Sequence, residues 1–324
     1  MIKILITGAS GYIGSSLYFY LKKKYKILAI DKNKNFFFKI KLCNLLNPKK
    51  IEKLLKEFKP NTVVHLAGQS LVDETISKKK YYDNNCKATK NLIHAMKKNN
   101  IKNIIYSSTA AVYKYKNTKL KENNILKPKS TYAKSKLFSE KIIIKSKINY
   151  LIMRFFNACS ALDKPYVVGE LHNPETHLIP TLIYKNLFKK KMYIYGNDYN
   201  TSDGTCVRDY IHVKDICEAV NKSIVYLEKK SSRSLILNIG TSYNYSVKKI
   251  ITIVEKITKI KSLLYYKKKR KGDTDTLICD NTRAYKLIKW KPKNSNIKKI
   301  IVDEIRWIRF FSKKGIVRKF KNYF

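Results

Sequence analysis

A glycine-spaced turn near the start of the chain constrains the fold more than any other feature. Gly8-Ala9-Ser10-Gly11-Tyr12-Ile13-Gly14 reads G-x-x-G-x-x-G, between an apolar run, Ile2–Ile6, and a helix-like stretch from Ile13 to Lys23. Gly8 and Gly11 let the backbone approach a pyrophosphate, and Gly14 permits close packing of helix on strand. The helix N-terminus then offers oriented N–H groups to the phosphates. A second strand, Lys26–Ile30, is closed by Asp31. A carboxylate at that point accepts hydrogen bonds from an adenosine ribose and repels a 2′-phosphate, which favours NAD over NADP.

The same alternation continues downstream. Helical patterns over Leu46–Phe58, Tyr81–Asn99 and Ser130–Lys145 interleave with strand patterns at Thr62–Leu66, Asn103–Ser107 and Tyr150–Arg154. This order predicts an α/β fold with a doubly wound parallel sheet, Rossmann-like. After Asn157 the alternation loosens into short aromatic segments, loops and a few helices. The expected division is an NAD-binding domain over 1–157 and a smaller α+β substrate-binding domain over 158–324, with later segments returning to the first. The second domain would cover the C-terminal edge of the sheet, where ligands bind in such folds. The 324 residues are enough for this.

Two further stretches carry chemistry. Tyr132-Ala-Lys-Ser-Lys136 puts a phenol and an ammonium one helical turn apart on one face. The expectation is that the cation lowers the phenol's pKa, so that the phenolate acts as a base near neutral pH. Thr201-Ser-Asp-Gly-Thr-Cys-Val-Arg-Asp-Tyr-Ile-His-Val-Lys-Asp215 is dense in polar and aromatic groups and suits a loop shaped around a ligand.

The composition excludes some classes. No apolar run reaches the roughly 18–20 residues needed to span a bilayer. Met1 leads straight into a strand, with no signal peptide in view. Six scattered cysteines, without C-x-x-C, fit free thiols in a reducing cytoplasm. The five histidines show no metal-type spacing, so no metal is expected. The formal net charge is +46, from 69 Lys and Arg against 23 Asp and Glu. Such a charge suits a polyanion partner. The lysines are spread along the whole chain, however, and Lys, Asn, Ile, Tyr and Phe, which have A/T-rich codons, are all inflated. Drift is the preferred reading, with no specific nucleic-acid partner and no membrane.

With these residues in view, the chain resembles the extended short-chain dehydrogenase/reductase family, and within it the UDP-sugar 4-epimerases. The match runs nearly end to end. It takes in His65-Leu-Ala-Gly68, Tyr81-Tyr-Asp-Asn-Asn85, Ser107-Ser-Thr-Ala-Ala-Val-Tyr113, Arg154-Phe-Phe-Asn157, Val168-Gly-Glu170, His177-Leu-Ile-Pro180, Tyr195-Gly-Asn-Asp198, Asp203–Asp215, Asn238-Ile-Gly-Thr241 and Trp290-Lys-Pro-Lys293. The resemblance implies reversible, NAD-dependent inversion at C4 of UDP-glucose and UDP-galactose through a 4-keto intermediate. It implies Tyr132 as base, Lys136 as the cation that tunes it and holds the nicotinamide ribose, and Thr109 as the hydroxyl on the sugar O4. For the cofactor it implies Gly8, Gly11, Tyr12, Ile13, Gly14, Asp31, Asn33, Leu66, Ala67, Gly68, Lys78, Asn85, Ser107 and Phe156, beside Tyr132 and Lys136. For the UDP-sugar it implies Asn157, Leu178, Tyr193, Tyr195, Arg208, Tyr210, Arg270 and Asp273, beside Thr109 and Tyr132. It also implies a homodimer formed through a helix bundle near the Tyr132 helix.

The chain departs from the family pattern in places. The adenosine-side loop after Asp31 is short and reads Lys32-Asn-Lys-Asn-Phe-Phe-Phe38. The family's Asp near the adenine is replaced around Cys43-Asn44. Asp73 replaces a Gly, and one residue is missing between Lys78 and Tyr81. Alternatives remain open. The substrate is another UDP-sugar such as the N-acetylated pair, with Leu277 near the gate on pocket width, or the reaction is dehydration or decarboxylation. Ser108-Thr109-Ala110-Ala111 lacks the acidic pair expected of a dehydratase. A basic nucleic-acid binder on a degenerate fold is the remote alternative. Trp290 and Trp307 are expected in the core, Cys206 as a small packed residue, and 313–324 as a basic helix end.

Overall fold

The computed structural model describes residues 1–71, 75–170, 172, 174–229, 231–270 and 273–313. Asp73 and nearly all of the basic C-terminal stretch lie outside the described residues.

Six strands form in the first half: β1 (Lys3–Thr7), β2 (Lys26–Asp31), β3 (Lys41–Leu42), β4 (Thr62–His65), β5 (Asn103–Thr109) and β6 (Asn149–Phe155). They make one parallel sheet with a seventh strand, Leu235–Ile239, in the order Leu235–Ile239, β6, β5, β4, β1, β2, β3. The central strands are apolar on both faces because helices cover both. Successive side chains on a strand point to opposite faces. Ile4 and Ile6 of β1 therefore join one core with Leu17, Leu21, Ile216 and Val220, while Leu5 between them joins the other with Ile51, Leu55, Leu92 and Met96.

The helices follow from local signals. In α2 (Pro48–Phe58), Asn47 Oδ1 accepts the Lys50 N–H at 3.0 Å, Pro48 fills the first turn, and Lys59 closes the helix in a left-handed conformation. Its buried positions are Ile51, Leu54 and Leu55, and its lysines stay in water. α1 (Tyr12–Leu21) starts at Gly11 with no side-chain cap, so its first N–H groups are left for a ligand.

The expected helix Tyr81–Asn99 differs in form. It is a short turn, α3 (Lys78–Tyr81), then a π-helical segment (Tyr82–Lys87), then α4 (Ala88–Lys98). The wider π turn faces Asn85 inward, where it is almost fully buried. α5 (Thr131–Lys145), capped by Ser130 Oγ on the Ala133 N–H, carries Tyr132 and Lys136.

After Asn157 the chain builds a second core and also returns to the first. α6 (Leu178–Leu187), α8 (Val247–Thr258) and α10 (Ile297–Lys313) enclose a cluster that includes Trp307. α7 (Val213–Leu227), the strand Leu235–Ile239 and α9 (Thr282–Ile288) pack instead on the sheet, with Trp290 donating its indole N–H to the Asp215 carbonyl at 3.0 Å. Small ladders join the later segments. Lys191–Tyr195 pairs with Leu263–Lys267, and Val207–Arg208 lies between Tyr245–Ser246 and Thr276–Leu277. No helix among the described residues is long and apolar enough to cross a membrane.

Candidate active site

The glycine turn is built without room for side chains. Gly8 has φ +73°, and a Cβ there would lie 2.5 Å from the Ala67 nitrogen. A Cβ on Gly14 would lie 2.1 Å from the Gly8 carbonyl oxygen. Leu66 and Ala67 thus meet the turn through their backbone. Around Gly11 the nearest such contact is 3.4 Å. Tyr12 turns its side chain into the core, where its hydroxyl donates to the Ser160 carbonyl, so only its backbone faces the cradle.

Asp31, at the end of β2, accepts the Ser10 N–H at 3.1 Å and the Asn33 N–H at 3.0 Å. The short loop after it is held by a residue that the sequence reading did not single out. The Asn35 amide donates to the Ala9 carbonyl at 2.9 Å and to Ser15 Oγ at 2.8 Å, and its carbonyl accepts the N–H groups of Phe37 and Phe38. Phe38 stacks on Tyr18 at 3.7 Å between centroids. A type of side chain that caps its own loop two residues on was the available signal. Lys78 is exposed at the start of α3, just past residues outside the described set.

At the chemical centre, β5 delivers Ser107 and Thr109, and α5 delivers Tyr132 and Lys136. Asn85 links the parts. Its Oδ1 accepts the Gln69 N–H at 2.7 Å and its amide donates to Ser135 Oγ at 2.8 Å. A Cβ on Gly68 would lie 2.6 Å from Asn85 Oδ1 and 4.0 Å from Lys136 Nζ, so Gly68, Asn85 and Lys136 share one wall. Ser107 Oγ donates to the His65 carbonyl at 3.3 Å. His65 is buried between Thr7 and Thr89, and burial pushes its pKa down to about 3, so it is a neutral spacer.

The electrostatics depart from the sequence expectation. Burial pushes Tyr132 up to about 12, and the only opposing influence is a hydrogen bond with the Thr109 hydroxyl. Lys136 is not what lowers it. Burial pushes Lys136 itself down to about 7, opposed by Glu140, and its ammonium sits 4.4 Å from the Tyr106 ring centre. Sequence spacing could place the two groups but not the cost of taking both out of water.

Behind this pair lies a buried network that the motifs did not announce. Glu140, one turn beyond Lys136, takes a fork from Arg154: Nη2 to Oε2 at 2.7 Å and Nε to Oε1 at 3.1 Å. Ser108 also donates to Glu140. Arg154 continues to the Tyr113 hydroxyl at 3.0 Å, and Tyr113 donates to Asn238 at 2.6 Å. Phe156 is buried beside Ala110, Val112, Tyr113 and Cys279, with Leu277 packed against them.

On the substrate side, Arg208 donates to Asp273 Oδ1 at 3.0 Å and to the Thr274 carbonyl at 2.8 Å. The Arg270 guanidinium lies 4.0 Å from the Tyr195 ring centre, and Lys267 Nζ lies 4.0 Å from that of Tyr193. Asn157 donates its amide to the Asp209 carbonyl at 2.9 Å, and Leu178 opens α6 half-buried. Tyr210 differs from its neighbours: it is buried in the second core. Cys206 is a half-buried thiol that burial pushes up, in keeping with a packed residue.

A parallel sheet with a glycine cradle at one strand end and a Tyr-x-x-x-Lys helix beside it defines a nucleotide-cofactor-binding fold of the short-chain dehydrogenase type. The NAD dependent epimerase/dehydratase family model matches residues 4–240, and the chain belongs to that family. It is 33% identical to the UDP-glucose 4-epimerase of Lactobacillus helveticus over 94% of this chain and 96% of that one. Among solved structures, it superposes on the UDP-glucose 4-epimerase of Bifidobacterium longum in complex with NAD+ and UDP, at 28% identity and TM-score 0.87, covering 97% of this chain and 99% of that one. The UDP-Glc/GlcNAc 4-epimerase of Campylobacter jejuni is 30% identical with TM-score 0.79, covering 96% and 100%.

Proposed function

We propose that this protein interconverts UDP-glucose and UDP-galactose by NAD-dependent epimerisation at C4. The observation that carries the proposal is the meeting of Thr109, Tyr132 and Lys136 beside Gly68 and Asn85, on the same sheet edge as the Gly8–Gly14 cradle.

The residues present fit NAD. The turn leaves no space for a Cβ at Gly8 or Gly14 yet is open at Gly11, and α1 begins uncapped, which suits a diphosphate. Asp31 at the end of β2 suits a ribose diol and disfavours NADP. When bound, NAD supplies an acceptor that takes two electrons from C4 and later returns them. Tyr132 takes the O4 proton, with Thr109 hydrogen-bonded to both phenol and sugar. Lys136 holds the ribose side and offers the positive charge that a phenolate here needs. Because burial disfavours both ionised forms, they become favourable only together and with further positive charge close by. The 4-keto sugar turns over while the diphosphate stays anchored by Arg208 and Arg270, and Tyr132 returns the proton. Forked guanidinium bonds to phosphate oxygens suit that anchoring.

A second reading concerns the N-acetylated pair. Leu277 lies in register with Arg208 and packs beside Ala110 and Phe156, so at this position the wall carries a flexible aliphatic side chain in place of a further ring. Turnover of the N-acetylated UDP-sugars is therefore part of the proposal. The protein is further proposed to be a cytoplasmic homodimer through the face of α5 and the π-helical segment, where Tyr82 and Phe138 are exposed and 6.4 Å apart.

The test is direct. The purified protein is denatured to release its cofactor, and UDP-galactose, UDP-glucose and their N-acetyl forms are assayed side by side. NAD in the extract with turnover of UDP-galactose supports the reading. NADP in the extract, or no turnover of any of the four, refutes it.

A further inference from the structure

The segment that leads into α6 gathers ligating groups outside the catalytic centre. Glu170, His172, Glu175 and His177 each offer one atom, and these four atoms all lie within 4.8 Å of one another. His172 Nδ1 is 2.6 Å from Glu170 Oε1, His177 Nδ1 is 2.7 Å from Glu175 Oε1, and His177 Nδ1 is 4.0 Å from Glu170 Oε2. Both glutamates are buried.

Two independent observations point to a missing ligand. Glu304, on α10, is 0% exposed, and neither of its carboxyl oxygens makes a well-formed hydrogen bond, the Ser160 backbone being the one group that approaches it as a donor; Glu175 Oε2 is also buried and unpartnered. Glu304 faces the cluster, since Glu175, Glu170 and His177 are the charged groups that act on it. Second, the Nε2 of His172 lies 3.1 Å from Ser70 Oγ. The Ser70 hydroxyl can accept an N–H from that nitrogen, and the tautomer with its proton there leaves the Nδ1 lone pair for a metal, as ligating histidines are commonly oriented.

The chemistry of the groups supports the same conclusion. Carboxyl groups from two glutamates and two imidazoles crowd one place, with a third carboxyl, from Glu304, facing them. A divalent cation draws such donors together. Two nitrogens with carboxylate oxygens are a donor set for Zn²⁺ or its neighbours Mn²⁺ and Co²⁺. Metal–ligand bonds of about 2.0–2.2 Å bring ligand atoms to within roughly 3–3.5 Å of one another, a small contraction from the spread seen here.

We propose that Glu170, His172, Glu175 and His177 bind one divalent transition-metal ion, with Glu304 as an outer or fifth ligand. The ion is structural. It fastens the segment entering α6 to α10, where Trp307 donates its indole N–H to the Glu170 carbonyl at 3.1 Å, and through Ser70 to the loop beside Gly68. The spacing of the two histidines, His172 and His177, five residues apart, matched no common metal motif, and only the fold brings Glu304 to them.

Protein stripped with a chelator is titrated with Zn²⁺, and separately with Mn²⁺, following heat release and melting temperature. Expected are about one ion per chain and a rise in Tm of about 5 °C at a hundredfold excess over Kd. His172→Ala/His177→Ala should abolish both. Absence of binding and of any Tm change with either metal would overturn the proposal and leave a cluster held by protons alone. Full stoichiometry retained in the double variant would overturn it too. Should that variant fail to fold, Co²⁺ in the wild type decides. Nitrogen and oxygen ligation gives d–d bands alone, while a sulfur-to-cobalt charge-transfer band would place the ion on a cysteine and refute the assignment.

Discussion

Replacing Glu140 by Gln tests how the buried frame supports the catalytic helix. The change keeps shape and removes one charge. It leaves the Arg154 guanidinium, 2% exposed, without its carboxylate, and turns one of two acceptor oxygens into an NH₂ facing an N–H donor. Breaking a buried ion pair from one side costs about 3–5 kcal/mol. A chain of this size loses about 2 °C per kcal/mol, so Tm should fall by about 6–10 °C. Glu140 is also the main group that favours the charged form of Lys136, so its loss should push Lys136 further down. The pH at which activity is half-maximal on the limb governed by Lys136 should move lower. The assay is thermal unfolding by circular dichroism together with a pH–rate profile for UDP-galactose. Glu140→Leu/Arg154→Met, which replaces both charges by apolar side chains, should recover much of the stability, because matched apolar replacement of such pairs is often neutral. A loss below about 1 kcal/mol in the single variant, or a double variant no better than it, would refute the reasoning.

Four further outcomes are expected. Tyr132→Phe should lower turnover by roughly 10²–10⁴-fold with the fold and bound NAD retained, checked by steady-state kinetics and cofactor absorbance. Gly14→Ala should remove NAD binding or prevent folding, since its methyl would lie 2.1 Å from the Gly8 carbonyl oxygen, as equilibrium dialysis and circular dichroism would show. Arg208→Ala should raise the Michaelis constant roughly ten- to a hundredfold, a loss of about 1.5–3 kcal/mol, with free UDP weakened as a competitive inhibitor in parallel. In cofactor-free protein, Lys136 gives up its proton near pH 7 when folded but near 10.5 when unfolded. The unfolded state then binds more protons in that window, so stability rises with pH, by about 2–3 kcal/mol between pH 7 and 9; urea titrations of the wild type against Lys136→Met isolate the slope.

Much of the architecture was legible because it depends on local pattern. The turn at Gly8–Gly14, the closing Asp31 and the alternation of elements up to β6 are all set by residues close in sequence. That later segments return to the sheet was expected, but that Leu235–Ile239 is the strand that does so was not readable at that level, since its apolar run fits either core. The π turn at Tyr82–Lys87 was hidden inside a normal helical pattern; what selects it is the inward Asn85 and its partners on two other segments. Tyr132 is pushed up where spacing alone predicts a lowered pKa, for a related reason. Spacing gives proximity, but burial sets the cost of charge, and burial is a property of the assembled fold. The Glu170–His177 cluster lay in one short segment but matched no common metal spacing, and the facing carboxyl of Glu304 is supplied only by the fold.

The proposed reaction sets two opposed demands on one pocket, and the structure distributes them along its length. The sugar must present both faces to one nicotinamide, so it cannot be held rigidly, while the reacting O4 must meet Tyr132 and Thr109 each time. Around Thr109 the neighbouring groups are small or apolar: Ala110, Ala111 and Val112, with Phe156 and Leu277 behind. Such a wall offers shape and few directional bonds. The charged groups lie instead near Arg208, Asp273 and Arg270, where a diphosphate can be gripped. Asp273 already engages Arg208 at 3.0 Å, so the guanidinium is oriented before any ligand arrives, and entropy that would be lost on binding is lost on folding. The buried Glu140–Arg154 pair then has a specific use: it braces β6 against α5, holding the base still while the substrate moves.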